Sequence, residues 1–312
     1  MELIKGDCLE VMQTIPDKSV DLILCDLPYG TTGCPWDIII PFDKLWMMYN
    51  KVLKPNATVL LFGSEPFASM VRLSNLEMYR YDWVWEKNNC GNFQLVNHQP
   101  MKVHETISVF YDIPKHYAFS DIIVENMKRL NLSYNDVTKL FLSKNGKTTG
   151  WLWNKINGSQ LPTREQWSKL CELFGIQDEY DKLCVRDIPK YNLDLIDVNL
   201  TRSNVGKAGN LGHLGSENKR ETYIQTKSGY PKSILKFNRE TGLHPTQKPV
   251  ALLEFLIKTH SNPGDVVLDN CMGSGSTGIA CINTDRNFIG IEMDDKYFDV
   301  ARQRIENHQK NI

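Results

Sequence analysis

The 312-residue sequence lacks several features that would define its class at once. Its eight cysteines include no CxxC pair and no alternation with histidine, which argues against a zinc site or a disulfide framework and predicts reduced thiols. No apolar run approaches the length of a membrane span, and the amino terminus "MELIKGDCLEVM" has no signal-peptide pattern. These absences predict a cytoplasmic protein that does not associate with membranes.

The chain also lacks a strong charge of either sign, since its formal net charge is -1 at pH 7. A general attraction to nucleic acid is therefore excluded, and any such binding would depend on local basic segments. Residues 115–175 contain nine Lys and Arg against five Asp and Glu, and residues 201–240 contain eight against three. Solvated loops alone can produce such a distribution.

The sequence does contain short apolar strands that alternate with amphipathic helices at both ends of the chain. "MELIKGD", "VDLILC" and "TVLLFG" alternate with helical segments near the start, and "DVVLDN" and "NFIGIEM" do so near the end. "YDWVWEK" and "ETISVFY" predict two further strands. The alternation predicts an α/β fold with a doubly wound, mostly parallel sheet, split in sequence into residues 1–117 and 243–312.

The segment that splits this predicted sheet, residues 118–242, has two parts. Residues 118–185 predict helices, with "SDIIVENMKRL", "WLWNKI" and "TREQWSKLCELFG" among them. Residues 186–242 are basic and Gly-rich and predict an extended surface loop. A segment of this length is too long for a plain connection and predicts an inserted functional module.

The stretch "CDLPYG", residues 25–30, ends a strand with an aspartate, a proline, a ring and a glycine. Pro28 restricts its own backbone and biases Leu27 towards an extended conformation, while Gly30 permits a turn. The pattern predicts a preorganised loop that holds Asp26 and Tyr29 at the tip of a strand. An ordinary surface turn has the same composition, so this stretch alone does not decide between the two.

A second polar strand end occurs in "VVLDNCMGSGSTGIAC". Gly273 and Gly275 let a ligand approach the backbone, and the helix that follows offers unpaired N–H groups. About twenty residues on, Glu292 ends another strand, where a carboxylate can accept hydrogen bonds from both hydroxyls of a ribose. The turn has no lysine before its Ser-Thr pair, which excludes the phosphate loop of nucleotide hydrolases and favours a nucleoside cofactor.

Taken in order, Asp7, "DLPYG", "HPTQKPVALLEFLI", "LDNCMGSGSTG" and "FIGIEM" resemble the amino-methyltransferases of DNA, in the permuted group whose catalytic motif precedes its cofactor motif. The resemblance covers residues 1–111 and 243–308. It implies a Rossmann-like methyltransferase fold, S-adenosylmethionine as the cofactor and double-stranded DNA as the partner.

The resemblance also implies roles for individual residues. The Asp7 position meets the adenine of the cofactor, the Glu292 position its ribose, and the glycine turn its methionine portion. Thr246 and Lys248 occupy positions near the methionine carboxylate, although "HPTQKP" in isolation could be a helix entry with a solvated lysine. The cofactor site is thereby assigned to Asp7, Cys8, Thr246, Lys248, Asp269, Asn270, Cys271, Met272, Gly273, Gly275, Ser276, Thr277 and Glu292.

The catalytic loop is assigned to Asp26, Leu27, Pro28 and Tyr29. An exocyclic amino group is a poor nucleophile, and two acceptors, the Asp26 carboxylate and the Leu27 carbonyl, would direct its lone pair towards the methyl group. The base must first leave the duplex, and Tyr29 offers a ring on which it can stack. The family usually has proline at the position of Leu27 and an aromatic residue at that of Cys271. We expect Leu27 to preserve the chemistry and Cys271 to weaken cofactor binding.

The inserted module occupies the place of the family's target-recognition region, and its helical part loosely resembles the helix-turn-helix bundles of phage-type repressors, which predicts a phage- or prophage-like enzyme. The predicted DNA contacts are phosphates for Lys144, Lys147, Lys155 and Arg164 and base edges for Asn154 and Gln160. The alternative is a packing module with Trp151, Trp153 and Trp167 as its core.

The sequence thus predicts a site-specific DNA methyltransferase that acts on adenine N6 with base flipping. Asp rather than Ser at the head of "DLPYG" favours adenine, and cytosine N4 is the alternative within the family. A non-catalytic DNA-binding regulator and a methyltransferase acting on protein or RNA are alternatives outside it. A homodimer and a cognate restriction nuclease are left open as partners.

Overall fold

The computed structural model describes residues 1–34, 37–91, 95–112, 117–141, 151–156, 161–183, 189–193, 196–203, 222–240, 242 and 247–311. The chain divides into two compact units. The first, which we call the sheet unit, combines Met1–Tyr111 with Pro189–Ile312, and the second, the helical unit, is Asp112–Ile188. Within the described ranges, no helix is both long and apolar enough to cross a membrane.

The secondary structure is numbered along the chain. The strands are β1 (Glu2–Lys5), β2 (Val20–Cys25), β3 (Leu53–Gly63), β4 (Tyr79–Gly91), β5 (Lys102–Phe110), β6 (Ile196–Ser203), β7 (Thr222–Ser228), β8 (Ile234–Lys236), β9 (Val266–Asp269) and β10 (Asn287–Glu292). The helices are α1 (Cys8–Val11), α2 (Phe42–Val52), α3 (Phe67–Ser74), α4 (Tyr117–Arg129), α5 (Tyr134–Thr138), α6 (Trp151–Ile156), α7 (Arg164–Phe174), α8 (Tyr180–Leu183), α9 (Val250–His260), α10 (Ser276–Asn283) and α11 (Asp295–Lys310).

Eight of the strands form one sheet in the order β1-β10-β9-β2-β3-β5-β4-β8. Neighbouring strands are parallel except where β5 meets β3 and β4, so β5 alone runs against the others. The prediction of an α/β fold with a doubly wound, mostly parallel sheet is confirmed. Because parallel strands end at the same edge, polar residues that follow β1, β2, β9 and β10 are brought together there.

The central strands are apolar on both faces because helices cover both sides of the sheet. In β3, Val59 and Leu61 pack into a core with α1, α2 and α3, whereas Leu60 and Phe62 pack into a second core with α9, α10 and α11. All four side chains are essentially inaccessible to solvent. Burial of each stabilises the fold by roughly 1.5–3 kcal/mol and holds the strand ends rigidly.

The structure differs from the sequence prediction within residues 186–242, where an extended loop was expected. β6 and β7 form an antiparallel pair, and β8 extends the main sheet beside β4. Leu235 of β8 is buried in the sheet core, and the Trp85 Nε1–H donates to the Phe237 carbonyl over 2.8 Å. Leu235 and Phe237 therefore attach β8 to the sheet unit despite the basic composition of the stretch.

The helical unit contains its own apolar core. Phe119, Val137, Leu152, Trp167 and Phe174 are all buried in it. A capping box at Thr163 starts α7, and Gly175 ends it in a left-handed conformation with φ of 64°. Helices α4 to α8 thus fall in the predicted helical segment, except that α4 begins at Tyr117, one residue before it.

Candidate functional site

Four carboxylates follow four adjacent strands at one edge of the sheet. In spatial order, Asp7 follows β1, Glu292 ends β10, Asp269 ends β9 and Asp26 follows β2. The parallel register places these strand ends together, as the sequence predicts for a ligand site.

A pocket of about 350 Å³ opens at this edge. It brings together ten of the residues that the sequence singles out: Asp7, Cys8, Asp26, Leu27, Pro28, Tyr29, Asn270, Cys271, Gly273 and Glu292. A smaller space of about 40 Å³ adjoins it and is lined by Lys248, Asp269, Met272, Ser276 and Thr277 together with Asp26, Cys271 and Gly273. The predicted catalytic loop and the predicted cofactor turn therefore share one cavity system.

The Asp26 carboxylate is held through both of its oxygens. Oδ1 accepts a 2.6 Å hydrogen bond from the Tyr29 hydroxyl, and Oδ2 accepts one from the Lys248 ammonium. Burial raises the pKa of Asp26, and the Lys248 charge opposes that rise. The Leu27 side chain beside it is 3% exposed, which anchors the loop backbone and with it the Leu27 carbonyl.

The Tyr29 ring is backed by another aromatic ring. It stacks on Phe67 with 4.8 Å between centroids and 23° between planes, while its hydroxyl is bonded to Asp26. One face of the Tyr29 ring is thus covered, and only the opposite face is left for a planar ligand.

Asp37 organises the catalytic loop and was missed by the sequence analysis. Its carboxylate accepts backbone N–H hydrogen bonds from Gly30, Thr31 and Thr32 at 2.9, 2.9 and 2.6 Å. Burial alone would raise the pKa of Asp37, but the hydrogen bonds from Thr32, Gly30 and Thr31 lower it. An aspartate shortly after a Gly-Thr-Thr turn is the signal that could have indicated this clamp.

Glu292 and Asp7 face the cofactor end of the pocket. Glu292 accepts the Gly273 N–H at 2.9 Å and the Asp294 N–H at 2.8 Å, one on each carboxylate oxygen. A carboxylate accepts about four hydrogen bonds, so each oxygen keeps capacity for a ribose hydroxyl. Burial raises the pKa of Glu292. Asp7 caps α1 by accepting the Leu9 N–H at 2.8 Å.

The apolar part of the pocket fits the rest of an adenosine. Leu9, Ile38, Ile39 and Ile40 line it beside the Glu292 carboxylate. A ring system between apolar side chains with an acceptor for its sugar is the arrangement that a nucleoside requires. The residues present therefore fit the nucleoside cofactor that the sequence predicts.

Asp269 fixes the glycine turn by hydrogen bonds to residues on both sides of it. It is 4% exposed, accepts the Thr277 hydroxyl at 2.6 Å and accepts the Cys271 N–H at 3.1 Å. Burial raises its pKa to about 6. Asn270, also predicted as a cofactor residue, is held at its side-chain oxygen by the Tyr49 hydroxyl at 2.7 Å. Asp269 thus shapes the turn around the ligand space.

Gly275 has a different role from the one predicted. Its φ is 76°, and a Cβ there would lie 3.0 Å from Ile305 and 3.1 Å from Ala301 of α11. The missing side chain makes room for this helix instead of for a ligand. Arg304 of the same helix donates to the Ser276 hydroxyl at 2.8 Å and to the Ser274 carbonyl at 3.2 Å, which fixes the turn.

Three thiols lie together beside the pocket: Cys8 and Cys271, which line it, and Cys25, which is buried behind them. The hydrogen bond to Cys271 raises the pKa of Cys8 well above its ordinary value, and burial raises that of Cys25 to about 12. These thiols are therefore uncharged at neutral pH and present an apolar sulfur surface where the family usually has a ring.

Lys248 lies against the Asp26 carboxylate, which the sequence analysis did not predict. It is 7% exposed, contacts Asp26 and lies 3.5 Å from Glu105 of β5. It also lines the small space beside the glycine turn. Burial alone would lower the pKa of Lys248, but Asp26 and Glu105 raise it. Thr246 lies outside the described residues.

The predicted DNA contacts of the helical unit are corrected in one case. Lys155 is 6% exposed and its ammonium donates to the Leu161 carbonyl, so it does not present its charge to phosphates. Local charge cannot distinguish such a buried lysine from a surface one. Arg164 is exposed and paired with Asp181. Lys144, Lys147 and Gln160 lie outside the described residues, as does the side chain of Asn154.

A family model for N6/N4 DNA methylases, described as "DNA methylase", matches residues 20–303. The chain therefore belongs to this DNA methylase family. Type II methyltransferase M.HinfI of Haemophilus influenzae is 23% identical, and the alignment covers 99% of this chain and 69% of that protein. M.HpaI of Haemophilus parainfluenzae is also 23% identical, with 98% and 74% covered.

Solved structures share the fold at low sequence identity. The M1.HpyAVI–SAM complex is 20% identical with a TM-score of 0.50, covering 97% of this chain and 98% of that one. The Thermus thermophilus protein TTHA0409, complexed with S-adenosyl-L-methionine, is 15% identical with a TM-score of 0.50, covering 100% and 97%. These likenesses support the same overall fold.

Proposed function

We propose that the protein transfers a methyl group from S-adenosylmethionine to the N6 amino group of adenine in double-stranded DNA. The observation that carries this proposal is that Asp26, Leu27 and Tyr29 share one pocket with Asp7 and Glu292. An amine held by the first group would lie beside a cofactor held by the second. Membership of the DNA methylase family supports both S-adenosylmethionine as the cofactor and DNA as the substrate.

The residues of the catalytic loop act on the amino group. S-Adenosylmethionine, when bound, supplies an electrophilic methyl group. The Asp26 carboxylate retains acceptor capacity beyond Tyr29 and Lys248, and together with the Leu27 carbonyl it can accept both amino N–H bonds. These hydrogen bonds strengthen as the nitrogen becomes positive, so they stabilise the transition state more than the ground state.

The Tyr29 ring positions the base. A target base inside a duplex cannot reach the pocket, so it must be flipped out of the stack. Stacking on the face of Tyr29 opposite Phe67 would orient its amino group towards Asp26. The clamp from Asp37 holds the following backbone, so the loop does not need to be ordered by the base.

Cytosine N4 is the second candidate acceptor. Its exocyclic amine presents the same two N–H bonds and has the same need for paired acceptors. We prefer adenine because an aspartate rather than a serine heads the "DLPYG" loop. We assign recognition of the target sequence to residues 118–242, which include most of the helical unit, with Arg164 as an exposed cation of that unit.

Methyl transfer to DNA from a methylation-deficient host, followed by nucleoside mass spectrometry, tests the proposal. N6-methyladenine that depends on the protein, on S-adenosylmethionine and on Asp26 is the expected result. N4-methylcytosine would establish the second candidate instead. Cofactor binding without transfer to any DNA would contradict catalysis and support the DNA-binding regulator. Long-read sequencing of the same DNA would give the target site.

A further inference from the structure

The contacts of Lys248 continue into the sheet as a row of four charges. Lys87 of β4 pairs with Glu105 Oε1, Glu105 Oε2 lies 3.5 Å from the Lys248 ammonium, and Lys248 pairs with Asp26. We call this row the buried charge chain. The side chains of Lys87, Glu105, Lys248 and Asp26 are 15, 13, 8 and 21% exposed, so solvent screens their interactions weakly.

The geometry of β5 brings Glu105 near the sheet edge at which Asp26 lies. β5 runs antiparallel to β3, and Thr106 lies opposite Gly63, the last residue of β3. Glu105, one residue earlier, therefore lies near the edge where the parallel strands end. It also lies opposite Trp85 of β4, and Lys87 packs over the Trp85 ring at 5.0 Å from its centroid.

The buried charge chain contains two anions and two cations, and its balance depends on Lys87. Lys248 faces the carboxylates of both Asp26 and Glu105. Without Lys87, two buried carboxylates would compete for one ammonium, and an unbalanced buried charge is costly. With Lys87, the charge of Glu105 is compensated and Lys248 stays with Asp26.

The contact between Glu105 and Lys248 is electrostatic in character. Among the described residues, the buried Oε2 atom of Glu105 has no hydrogen-bond partner, although it lies 3.5 Å from the Lys248 ammonium. A carboxylate at this distance acts on the cation mainly through its charge. Because Lys248 precedes α9 and lies outside the strands, the contact joins β5 to the segment that carries Lys248 and does not cross-link two strands.

We propose that Glu105 and Lys87 are positioning residues for methyl transfer: Glu105 competes with Asp26 for the Lys248 ammonium, and Lys87 balances Glu105 so that Lys248 stays paired with Asp26. The inference rests on the proposed function. Glu105 and Lys87 belong to the sheet and act on the Asp26 carboxylate through Lys248, without touching the carboxylate themselves.

The consequence is a dependence of turnover on pH with a definite sign. Asp26 accepts hydrogen bonds as a carboxylate, so turnover is present above its pKa and is lost as the pH falls through it. The charge of Glu105 raises the pKa of Asp26, and that of Lys248 lowers it. The acid limb of the pH profile of kcat should therefore respond to the charges of the other members of the buried charge chain.

Other titratable groups face Asp26 as well. Tyr29 comes from the same loop, Cys25 from β2 and Asp269 from β9, besides the members of the buried charge chain. Burial raises the pKa of Asp269 to about 6, so Asp269 also titrates on the acid side of neutrality. Because Asp269 is unchanged in every variant below, differences between the variants report on the buried charge chain.

The test compares Glu105→Gln with Lys87→Met at saturating cofactor and DNA. Glu105→Gln should move the acid limb of kcat to lower pH, and Lys87→Met should move it to higher pH, each by about one unit. The double variant should return the acid limb close to that of the wild type, since the opposite charges of Glu105 and Lys87 are then both absent. Lys87→Arg, which keeps the charge, should preserve the wild-type limb.

The exposed pair of Glu86 and Lys236, 3.2 Å apart, provides the matched control. Glu86 is the neighbour of Lys87 on β4. Unlike the members of the buried charge chain, the side chains of Glu86 and Lys236 are 42 and 76% exposed. Glu86→Gln and Lys236→Met should leave the acid limb unchanged. If these two variants shift the acid limb as much as Glu105→Gln and Lys87→Met do, the shift is a general surface-charge effect and the proposal is wrong.

Carboxyl NMR of protein labelled with [¹³C]aspartate gives a readout that does not need turnover. The Asp26 resonance, assigned with Asp26→Asn, should titrate lower in Glu105→Gln and higher in Lys87→Met. Equal loss of activity at every pH without a shift in either readout would mean that the residues are merely structural. Absence of any methyl transfer by the wild type would instead contradict the proposed function, and the NMR titration would still decide the inference.

Discussion

The two ends of the pocket hold their carboxylates by different means. At the cofactor end, Glu292 is fixed by two backbone N–H groups, from Gly273 and Asp294. At the catalytic end, Asp26 is fixed by side chains, the Tyr29 hydroxyl and the Lys248 ammonium. Backbone donors carry no net charge and cannot be substituted, whereas side-chain partners can be replaced and tuned. Under the proposed function, cofactor binding would depend on a fixed backbone scaffold, and catalysis would depend on side-chain charges that substitution can change.

The largest effect is expected for Asp26→Ala. It removes one of the two acceptors that act in the transition state, so kcat should fall by at least about a hundredfold. Cofactor affinity should change little, because the Glu292 end of the pocket is untouched. Single-turnover methylation and calorimetric titration with S-adenosylmethionine measure the two quantities separately, and near-normal turnover would exclude the proposed mechanism.

The converse separation is expected for Glu292→Ala. Loss of hydrogen bonds to a charged acceptor should weaken cofactor binding by about 1–3 kcal/mol, with kcat at saturating cofactor largely kept. Glu292→Gln is the milder control, because an amide oxygen can still accept one backbone N–H. Unchanged affinity in calorimetry for both variants would mean that the ribose is held elsewhere.

The pH dependence of binding sharpens the same comparison. Burial raises the pKa of Glu292 above its ordinary value of 4.5, and the carboxylate form is the one that accepts ribose hydroxyls. Cofactor affinity should therefore be complete above this raised pKa and should fall as the pH drops through it. Glu292→Gln should flatten that fall, whereas Glu105→Gln should leave it unchanged, since Glu105 acts at the other end. Calorimetry across the mildly acidic range gives both curves.

The smallest effect is expected for Leu27→Pro, which restores the residue usual in the family. The proposed acceptor is the main-chain carbonyl of residue 27, so kcat should stay within about threefold of the wild type. The side chain is 3% exposed, and loss of its packing should lower the free energy of unfolding by about 1–3 kcal/mol. Leu27→Ala is the matched control for packing. A complete loss of turnover in a folded Leu27→Pro protein would show that the backbone geometry of this loop is specific to leucine.

Residues that follow a strand directly could be predicted from the sequence. Asp26, Asp269 and Glu292 each end or follow a short apolar run, and parallel strands bring such ends together. Both the mostly parallel sheet and the common pocket follow from that local pattern. The local sequence is enough to predict these residues because the strand, the carboxylate and the turn are adjacent in the chain.

Residues brought in by strand register could not be predicted in this way. Glu105 reaches Lys248 because β5 runs against its neighbours, and Lys87 reaches Glu105 because β4 pairs with β5. Neither the direction of β5 nor its pairing with β4 can be inferred from residues that are neighbours in the sequence. Lys155 was misjudged for a related reason, since a charge count does not reveal which lysine the helical core buries.

The Asp37 clamp has a consequence for the conformational entropy of ligand binding. Fixing the backbone of one residue costs about 1–2 kcal/mol, and Asp37 holds three consecutive amides, those of Gly30, Thr31 and Thr32. That loss of freedom occurs when the protein folds, before any ligand arrives. A ligand that enters the pocket therefore meets a rim that is already ordered, and its affinity is not reduced by the entropy of closing a loose loop.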